Sequence, residues 1–428
     1  MKSALPSPDL LSYDEAAALV GDCVLRLGKC RPAIETVELE RAMGRVLARP
    51  LAADLDQPPF ARSTRDGFAC REAEACTHKF LTIAGTTRAG LVPAGPLPPR
   101  AAWEIMTGAP VPAGADAVVM LEHVEVDAGR VRLLPPRKVE PGENIVAQGA
   151  QARAGDELLP AGTTIHSAQI ALAASCGCAT LPVFARPRVA ILTTGDELVA
   201  VSAMPAPGQI RNSNGPMLAA MVAAVGGEPW VLPTAADNAQ TLDASLEQAA
   251  DADLLLITGG VSAGKFDLVE PALARAGARF HFTGIRIQPG KPLVFGDLSV
   301  RGTSATQKTG GTKHFFGLPG NPVSSAVTFL LFAAPVLAAL AGKRETAPRF
   351  ALARMATHAE RNGKPGLTRF LPAYCDFGAS VGELPEVAFV PWHGSGDLGA
   401  LARSNCFLVV PEVAHGLEPG TVVQILLP

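Results

Sequence analysis

The apolar positions of this chain follow two regimes. Between Arg188 and about residue 341, short apolar runs alternate with helical spacing. Val189-Ala190-Ile191-Leu192-Thr193 reads as a buried strand running into Gly195, and Leu254-Leu255-Leu256-Ile257 as a second one. Helical patterns cover 214–225, which stops at Gly226-Gly227, then about 238–250, about 267–277, and 322 to about 341. Further strands fall near 228–232, 280–287 and 292–296. Strands alternating with helices predict a doubly wound, mostly parallel sheet over 187–342. Ligands of such sheets bind beyond the carboxyl ends of the strands, so the turns there are the first place to look for chemistry.

Outside that region strands dominate. Residues 54–140 are rich in Pro and Gly, with short alternating runs such as Ala117-Val118-Val119-Met120-Leu121 and Val124-Glu125-Val126, and predict a small β-rich lobe. The flanks, 9–53 and 141–186, combine into a discontinuous mixed α+β domain. Its elements are a helix over 13–28 capped by Ser12, with Ala16, Ala17, Val20, Val24 and Leu25 as its apolar stripe, a strand and short helical turn within 35–52, and an alanine-rich helix around 167–176. Residues 301–313 are of low complexity and read as a mobile hairpin loop without chemistry. Residues 343–348 form a linker, and 349–428 a small C-terminal β domain. The expected fold class is α/β plus β in a multidomain chain.

Composition bounds the partners. The chain has 428 residues, 48% of them hydrophobic and 18% charged, and a formal net charge of −3. That length implies two to four domains. The charge supplies no global field for nucleic acid or an anionic membrane, so an anionic substrate needs a local site. The first residues lack the apolar core of a signal peptide, and no run of about 18 apolar residues stands out, so no membrane span is expected. The eight cysteines lack zinc-site spacing and read as incidental thiols of a cytoplasmic protein.

The chemistry concentrates in five turns. Thr258-Gly259-Gly260-Val261-Ser262-Ala263-Gly264-Lys265-Phe266-Asp267 follows a strand and precedes a helix, a natural anion cradle. It nearly spells a P-loop, but Phe266 stands where the magnesium-binding hydroxyl belongs, which argues against a P-loop nucleotidase. Thr194-Gly195-Asp196-Glu197-Leu198 offers hard oxygen ligands at a strand end; a plain acidic turn is the alternative. Gln209-Ile210-Arg211-Asn212-Ser213-Asn214 can cap a helix and face an anion at once. Ile287-Gln288-Pro289-Gly290-Lys291-Pro292 presents one ammonium group on a rigid loop. Gly317-Leu318-Pro319-Gly320-Asn321-Pro322-Val323-Ser324-Ser325 is a strand-to-helix turn whose simpler reading is turn chemistry alone.

In this order, T-G-D-E-L, N-S-N, G-G-V-S-x-G-x-x-D, P-G-K-P and G-L-P-G-N-P-V-S resemble the molybdopterin molybdenumtransferase family, MoeA in bacteria and the E domain of gephyrin in animals. Ser63-Thr64-Arg65-Asp66-Gly67-Phe68-Ala69, Ile105-Met106-Thr107-Gly108-Ala109-Pro110-Val111-Pro112, Gly394-Ser395-Gly396 and Ser404-Asn405-Cys406-Phe407 extend the resemblance over nearly the whole chain. It implies insertion of molybdate into adenylylated molybdopterin with release of AMP and help from Mg²⁺. It also implies an elongated homodimer, the 54–140 lobe of one subunit facing the α/β cleft of the other, and possible contact with molybdopterin adenylyltransferase and molybdoenzymes.

Carried onto this sequence, the resemblance gives catalytic candidates Asp66, Glu197, Asp237, Asp267 and Lys291, and metal candidates Asp196, Glu197, Asp237 and Asp267. The substrate would be held by Thr107, Thr194, Gly195 and Asp196, by Ser213 and Asn214, by Gly259, Gly260, Val261 and Ser262, by Pro289 and Gly290, by Gly317, Pro319, Gly320, Asn321, Pro322 and Ser324, and by Ser395. The chain departs from the family pattern at Arg65 (usually Met), Lys265 (usually Glu or a small polar residue), Gln288 (usually Lys) and Asn144-Ile145-Val146-Ala147-Gln148-Gly149-Ala150-Gln151, where N-I-R-x-x-G-E-D is common. Positive charge has moved around the same expected anion pocket. A binding or scaffold protein of weak turnover, and a molybdopterin adenylyltransferase, are the alternative readings.

Overall fold

Six strands between Arg188 and Leu318 form one sheet in the computed structural model, which describes residues 10–30, 32–260, 268–299, 312–358, 366–378, 382–414 and 417–428. The strand order is Glu228–Val231, Arg188–Thr193, Leu254–Thr258, Thr312–Leu318, Val294–Ser299, Ala278–Thr283. The first four are parallel and the last two run as an antiparallel edge, so the sheet is mostly parallel as expected. The central strands Arg188–Thr193, Leu254–Thr258 and Thr312–Leu318 are buried on both faces over nearly all their length, and the period of two sorts their side chains. Val189, Ile191, Leu254, Leu256, Phe316 and Leu318 enter one core with the helices Tyr13–Leu27, Asn214–Val225 and 322–340. Ala190, Leu192, Leu255, Ile257 and Phe315 enter the other, against the helices Ala239–Gln248 and Val269–Arg275.

The helical elements follow their local chemistry. Ser12 accepts a hydrogen bond from Glu15 N while the Glu15 carboxylate accepts from Ser12 N, a reciprocal cap that starts the first helix. The long helix begins with Pro322 in its first turn, where a missing N–H costs nothing, and passes through a π turn, Phe329–Ala333, just before Pro335. Pro322–Leu340 spans 19 residues with mean hydropathy 2.1, long and apolar enough to cross a membrane by length and composition, yet 83% of its most apolar 18-residue stretch is buried inside the protein. Enclosure by neighbouring helices and the sheet makes it a core helix.

The remaining parts frame the sheet. The lobe holds a six-stranded sheet running from Gly67–Cys70 to Arg130–Leu133. Ile34–Glu38 pairs antiparallel with Thr180–Phe184, joining the two chain segments that flank the lobe. The C-terminal strands close into a small barrel, because Thr368–Asp376 pairs with both Glu386–Phe389 and Cys406–Val410. Ile287–Gln288 adds to that barrel beside Thr368–Arg369, which clamps the proline-rich loop between the α/β region and the barrel. The expected hairpin over 301–313 lies outside the described residues except for Thr312 and Lys313, which open the Thr312–Leu318 strand. All eight cysteines are free.

Candidate functional site

Three parallel strands end side by side at Thr193, Thr258 and Leu318, and their turns open onto a cleft of about 690 Å³. The turns are locked by close backbone approach. Thr194 N donates to Thr258 O at 3.0 Å, and Gly259 has φ +97°. A Cβ at Gly259 would lie 2.3 Å from Thr194 O, so only glycine fits. Gly195, at φ +149°, leaves room for the Glu197 carboxylate, which would stand 2.6 Å from a Cβ there.

Buried hydroxyls and amides set the floor. Asn212 Nδ2 donates to Thr193 Oγ1 at 2.8 Å and to Thr234 Oγ1 at 3.2 Å, while its Oδ1 accepts from Gly215 N at 3.0 Å. Asn214 Nδ2 donates to Gly320 O at 2.6 Å and to Thr258 Oγ1 at 3.0 Å, tying the second turn to the fifth. That orientation buries Asn214 Oδ1 without a donor among the described residues. A buried acceptor left unmet costs about 1–3 kcal/mol, so the cleft wall has unmet demand for a donor. The N-termini of the helices Asn214–Val225 and 322–340 both reach this wall, through Ser213, Asn214, Asn321 and Pro322. Two helix N-termini and a glycine turn at one cleft favour an anion.

Charged side chains complete the site. Asp237 Oδ1 accepts from Thr194 Oγ1 at 2.9 Å and Asp237 lines the cleft with Glu197. Arg211 is the one cationic side chain in the wall among the described residues; its Nε donates to Ala203 O at 2.9 Å, which aims the guanidinium and leaves its two outer nitrogens unused. Gly396 and Leu398 of the barrel close the rim.

The expected residues divide cleanly. Thr194, Gly195, Glu197, Ser213, Asn214, Asp237, Gly259, Gly260, Pro319, Gly320, Asn321 and Pro322 line the cleft. Asp196 does not; its Oδ1 accepts from Asp237 N at 3.0 Å, so it braces the neighbouring acid. Gly317 and Ser324 are buried behind the wall. Ser395 Oγ accepts from Asn321 Nδ2 at 2.8 Å and acts one shell back. Pro289, Gly290 and Lys291 precede Pro292, which does reach the cleft. Asp66 and Thr107 sit together in the lobe, away from this wall. Thr107 N donates to an Asp66 carboxylate oxygen at 2.7 Å and its hydroxyl at 2.9 Å, and the backbone bond, then the hydroxyl bond, hold the Asp66 carboxyl below its usual range. Val261, Ser262 and Asp267, with Lys265 and Phe266, lie outside the described residues.

The carboxylates also bear on metal binding. Among the described residues no group of three or more His, Cys, Asp or Glu side chains is placed to hold a metal ion. Asp196 is committed to a backbone N–H, so Glu197 and Asp237 are what the cleft offers. Two carboxylates match magnesium that arrives on phosphate, since that ion keeps water and phosphate ligands and seldom sits in an all-protein cage.

Sequence reasoning missed Arg211 and Asn212 as members of the site. Both stood in a stretch read for its capping residues, and only the parallel bridge of Leu198–Val199 with Ile210–Arg211 turns the guanidinium toward the cleft.

Comparison with known proteins identifies the family. Residues 11–177 match the family described as MoeA N-terminal region (domain I and II), residues 190–339 the probable molybdopterin binding domain, and residues 354–427 the MoeA C-terminal region (domain IV). The molybdopterin molybdenumtransferase of Nostoc sp. strain PCC 7120 is 36% identical over 404 residues, covering 92% of this chain and 88% of the relative. That of Bacillus subtilis strain 168 is 34% identical over 401 residues, covering 92% and 89%. The solved molybdopterin biosynthesis moeA protein of Pyrococcus horikoshii OT3 superposes with a TM-score of 0.80 at 28% identity, over 98% of this chain and 100% of that one.

Proposed function

The chain belongs to the molybdopterin molybdenumtransferase family and is an enzyme of molybdenum cofactor biosynthesis; from that premise we propose that its cleft takes adenylylated molybdopterin and molybdate and yields molybdenum cofactor and AMP, with Mg²⁺. The observation that carries this reading is the meeting of two helix N-termini and the Gly259 turn with Arg211, Glu197 and Asp237 around one cavity.

The substrate presents a pyrophosphate between pterin and nucleotide. Backbone N–H groups of Gly259, Gly260, Gly320 and Asn321 hold its oxygens, the two helix N-termini add positive potential, and the outer nitrogens of Arg211 take one phosphate as a fork. Glu197 and Asp237 would hold magnesium that arrives on the phosphates. When bound, that ion neutralises phosphate oxygens and stabilises AMP as the leaving group. Thr194 fixes the Asp237 carboxylate through its hydroxyl, and Asp196 fixes the Asp237 backbone. Asn214 Oδ1 accepts a donor from the bound molecule.

The subunit pairs with a second copy, whose Asp66 and Thr107 reach this cleft. Asp66 is exposed, its two Thr107 bonds favour the carboxylate form, and among the described residues it bonds no residue of the cleft.

The experiment mixes the purified protein with adenylylated molybdopterin and Mg²⁺, then adds molybdate. AMP released on molybdate addition is the expected result. Tight binding with no AMP release would replace this reading with a binding protein, and formation of adenylylated molybdopterin from ATP would replace it with an adenylyltransferase.

A further inference from the structure

A second large cavity lies at the other end of the same sheet. The Thr312–Leu318 strand starts at this cavity, with Thr312 and His314 in its wall, and finishes at the cleft already described. Its volume is about 670 Å³, close to that of the cleft. The helix Tyr13–Leu27 supplies one side and the antiparallel edge strands the other. Nothing in the proposed reaction uses it.

Its wall is charged on one side and apolar on the other. Arg26 comes from the helix and Arg279 from the outermost strand, and neither guanidinium has an ion-pair partner among the described residues. Asp297 accepts from His281 Nε2 at 2.8 Å and from His314 Nδ1 at 2.6 Å. Burial acts to lower the His314 value, but the bond to Asp297, aided by Cys23 Sγ packed 3.4 Å from the ring, wins and raises it to about 9. His314 is therefore charged at neutral pH. Three fixed positive charges face two acids, Asp22 and Asp297, so the wall is net positive. Leu19 and Leu27 supply the apolar side.

A pair of imidazoles on one carboxylate is enough to pin strand to strand. It explains neither an open cavity nor two unpaired guanidiniums beside it. Planar guanidinium forks match phosphate oxygens, and small-molecule sites combine apolar walls with a few placed polar groups. A bare oxyanion would fill little of this volume, so an organic part is required. We propose that this cavity is a separate binding site for a small phosphate monoester, its phosphate held by Arg26 and Arg279 and its organic part lying against Leu19 and Leu27.

Isothermal titration of the full-length protein tests this, with phenyl phosphate as the probe and inorganic phosphate and phenol as the comparison arms. Saturable binding of phenyl phosphate, tighter than inorganic phosphate, is expected. Arg26→Gln with Arg279→Gln should weaken it at least tenfold with an unchanged circular dichroism spectrum, since both side chains are exposed. Leu19→Asn should weaken phenyl phosphate and leave inorganic phosphate as it was. Arg211→Gln, in the cleft, should leave phenyl phosphate binding unchanged. The proposal is overturned if phenyl phosphate does not bind, if the double substitution has no effect, if inorganic phosphate binds as tightly, or if Arg211→Gln abolishes the binding.

Discussion

Single atoms decide what the cleft can do. A methyl group at position 259 would collide with the Thr194 carbonyl, and the backbone there has a positive φ. Gly259→Ala is expected to cost about 1–3 kcal/mol of stability, read by chemical denaturation, and to weaken substrate binding because the turn must move outward. Arg211 poses the opposite case. It is exposed, so its removal should leave stability nearly unchanged, while Arg211→Gln should raise KM for adenylylated molybdopterin about tenfold or more, as loss of a charge-assisted bond of about 1.5–3 kcal/mol requires. An unchanged KM would remove Arg211 from the phosphate contact. At this scale the glycines and prolines were readable from the sequence, since a strand followed by Gly-Gly or Pro-Gly-Asn-Pro has few conformations open to it. Side-chain direction was not. Asp196 and Asp237 are alike on paper, and only the hydrogen bond between them makes one a brace and the other a wall residue.

Elements carry the stability and hide their partners. The apolar runs at 189–193 and 254–257 were legible as strands, and the alternation that feeds two cores explains why no polar face was visible in either. The helix Pro322–Leu340 escaped notice as an apolar span because Ser324, Ser325 and Thr328 interrupt it. The Ser325 and Thr328 hydroxyls turn onto nearby carbonyl groups, Ser325 Oγ donating to Pro319 O and Thr328 Oγ1 to Ser324 O at 2.8 Å, which makes them compatible with burial. The Asp297–His314 pair joins two strands and the first helix, a contact between residues far apart in sequence that no local pattern announces. Its consequence is a pH dependence. His314 is raised in the folded protein, so its contribution is whole below the ordinary histidine value near 6.5 and is lost as pH rises through about 9. Thermal stability should fall across that window by the equivalent of about 1–3 kcal/mol, and His314→Gln should flatten the fall. A wild-type profile equally steep in the variant would assign the dependence to other groups.

The whole molecule combines the α/β sheet with a β-rich lobe and a small barrel. The barrel reaches the cleft through Gly396 and Leu398 and is bolted to it by the Asn321–Ser395 bond, while the lobe of the same chain leaves the cleft open. On the proposed pairing a second copy would bring Asp66 to that opening, and the solution mass should then be twice 44.2 kDa. A monomer active at full rate would contradict the shared site. The multidomain α/β-plus-β class was legible from patterns spread along the chain; the cavity between the first helix and the sheet edge was not, because separate elements build it. The central claim is that this cleft, through Asp237 and its neighbours, carries the release of AMP. The measurement that tests it most directly loads wild type and Asp237→Asn with adenylylated molybdopterin, adds molybdate with Mg²⁺, and follows AMP in a single turnover. The account predicts that both retain the bound substrate and that the variant releases AMP about 100-fold more slowly, the scale on which one electrostatic contact in a closed site acts. Release at the wild-type rate from Asp237→Asn, or release from wild type without molybdate, would contradict it.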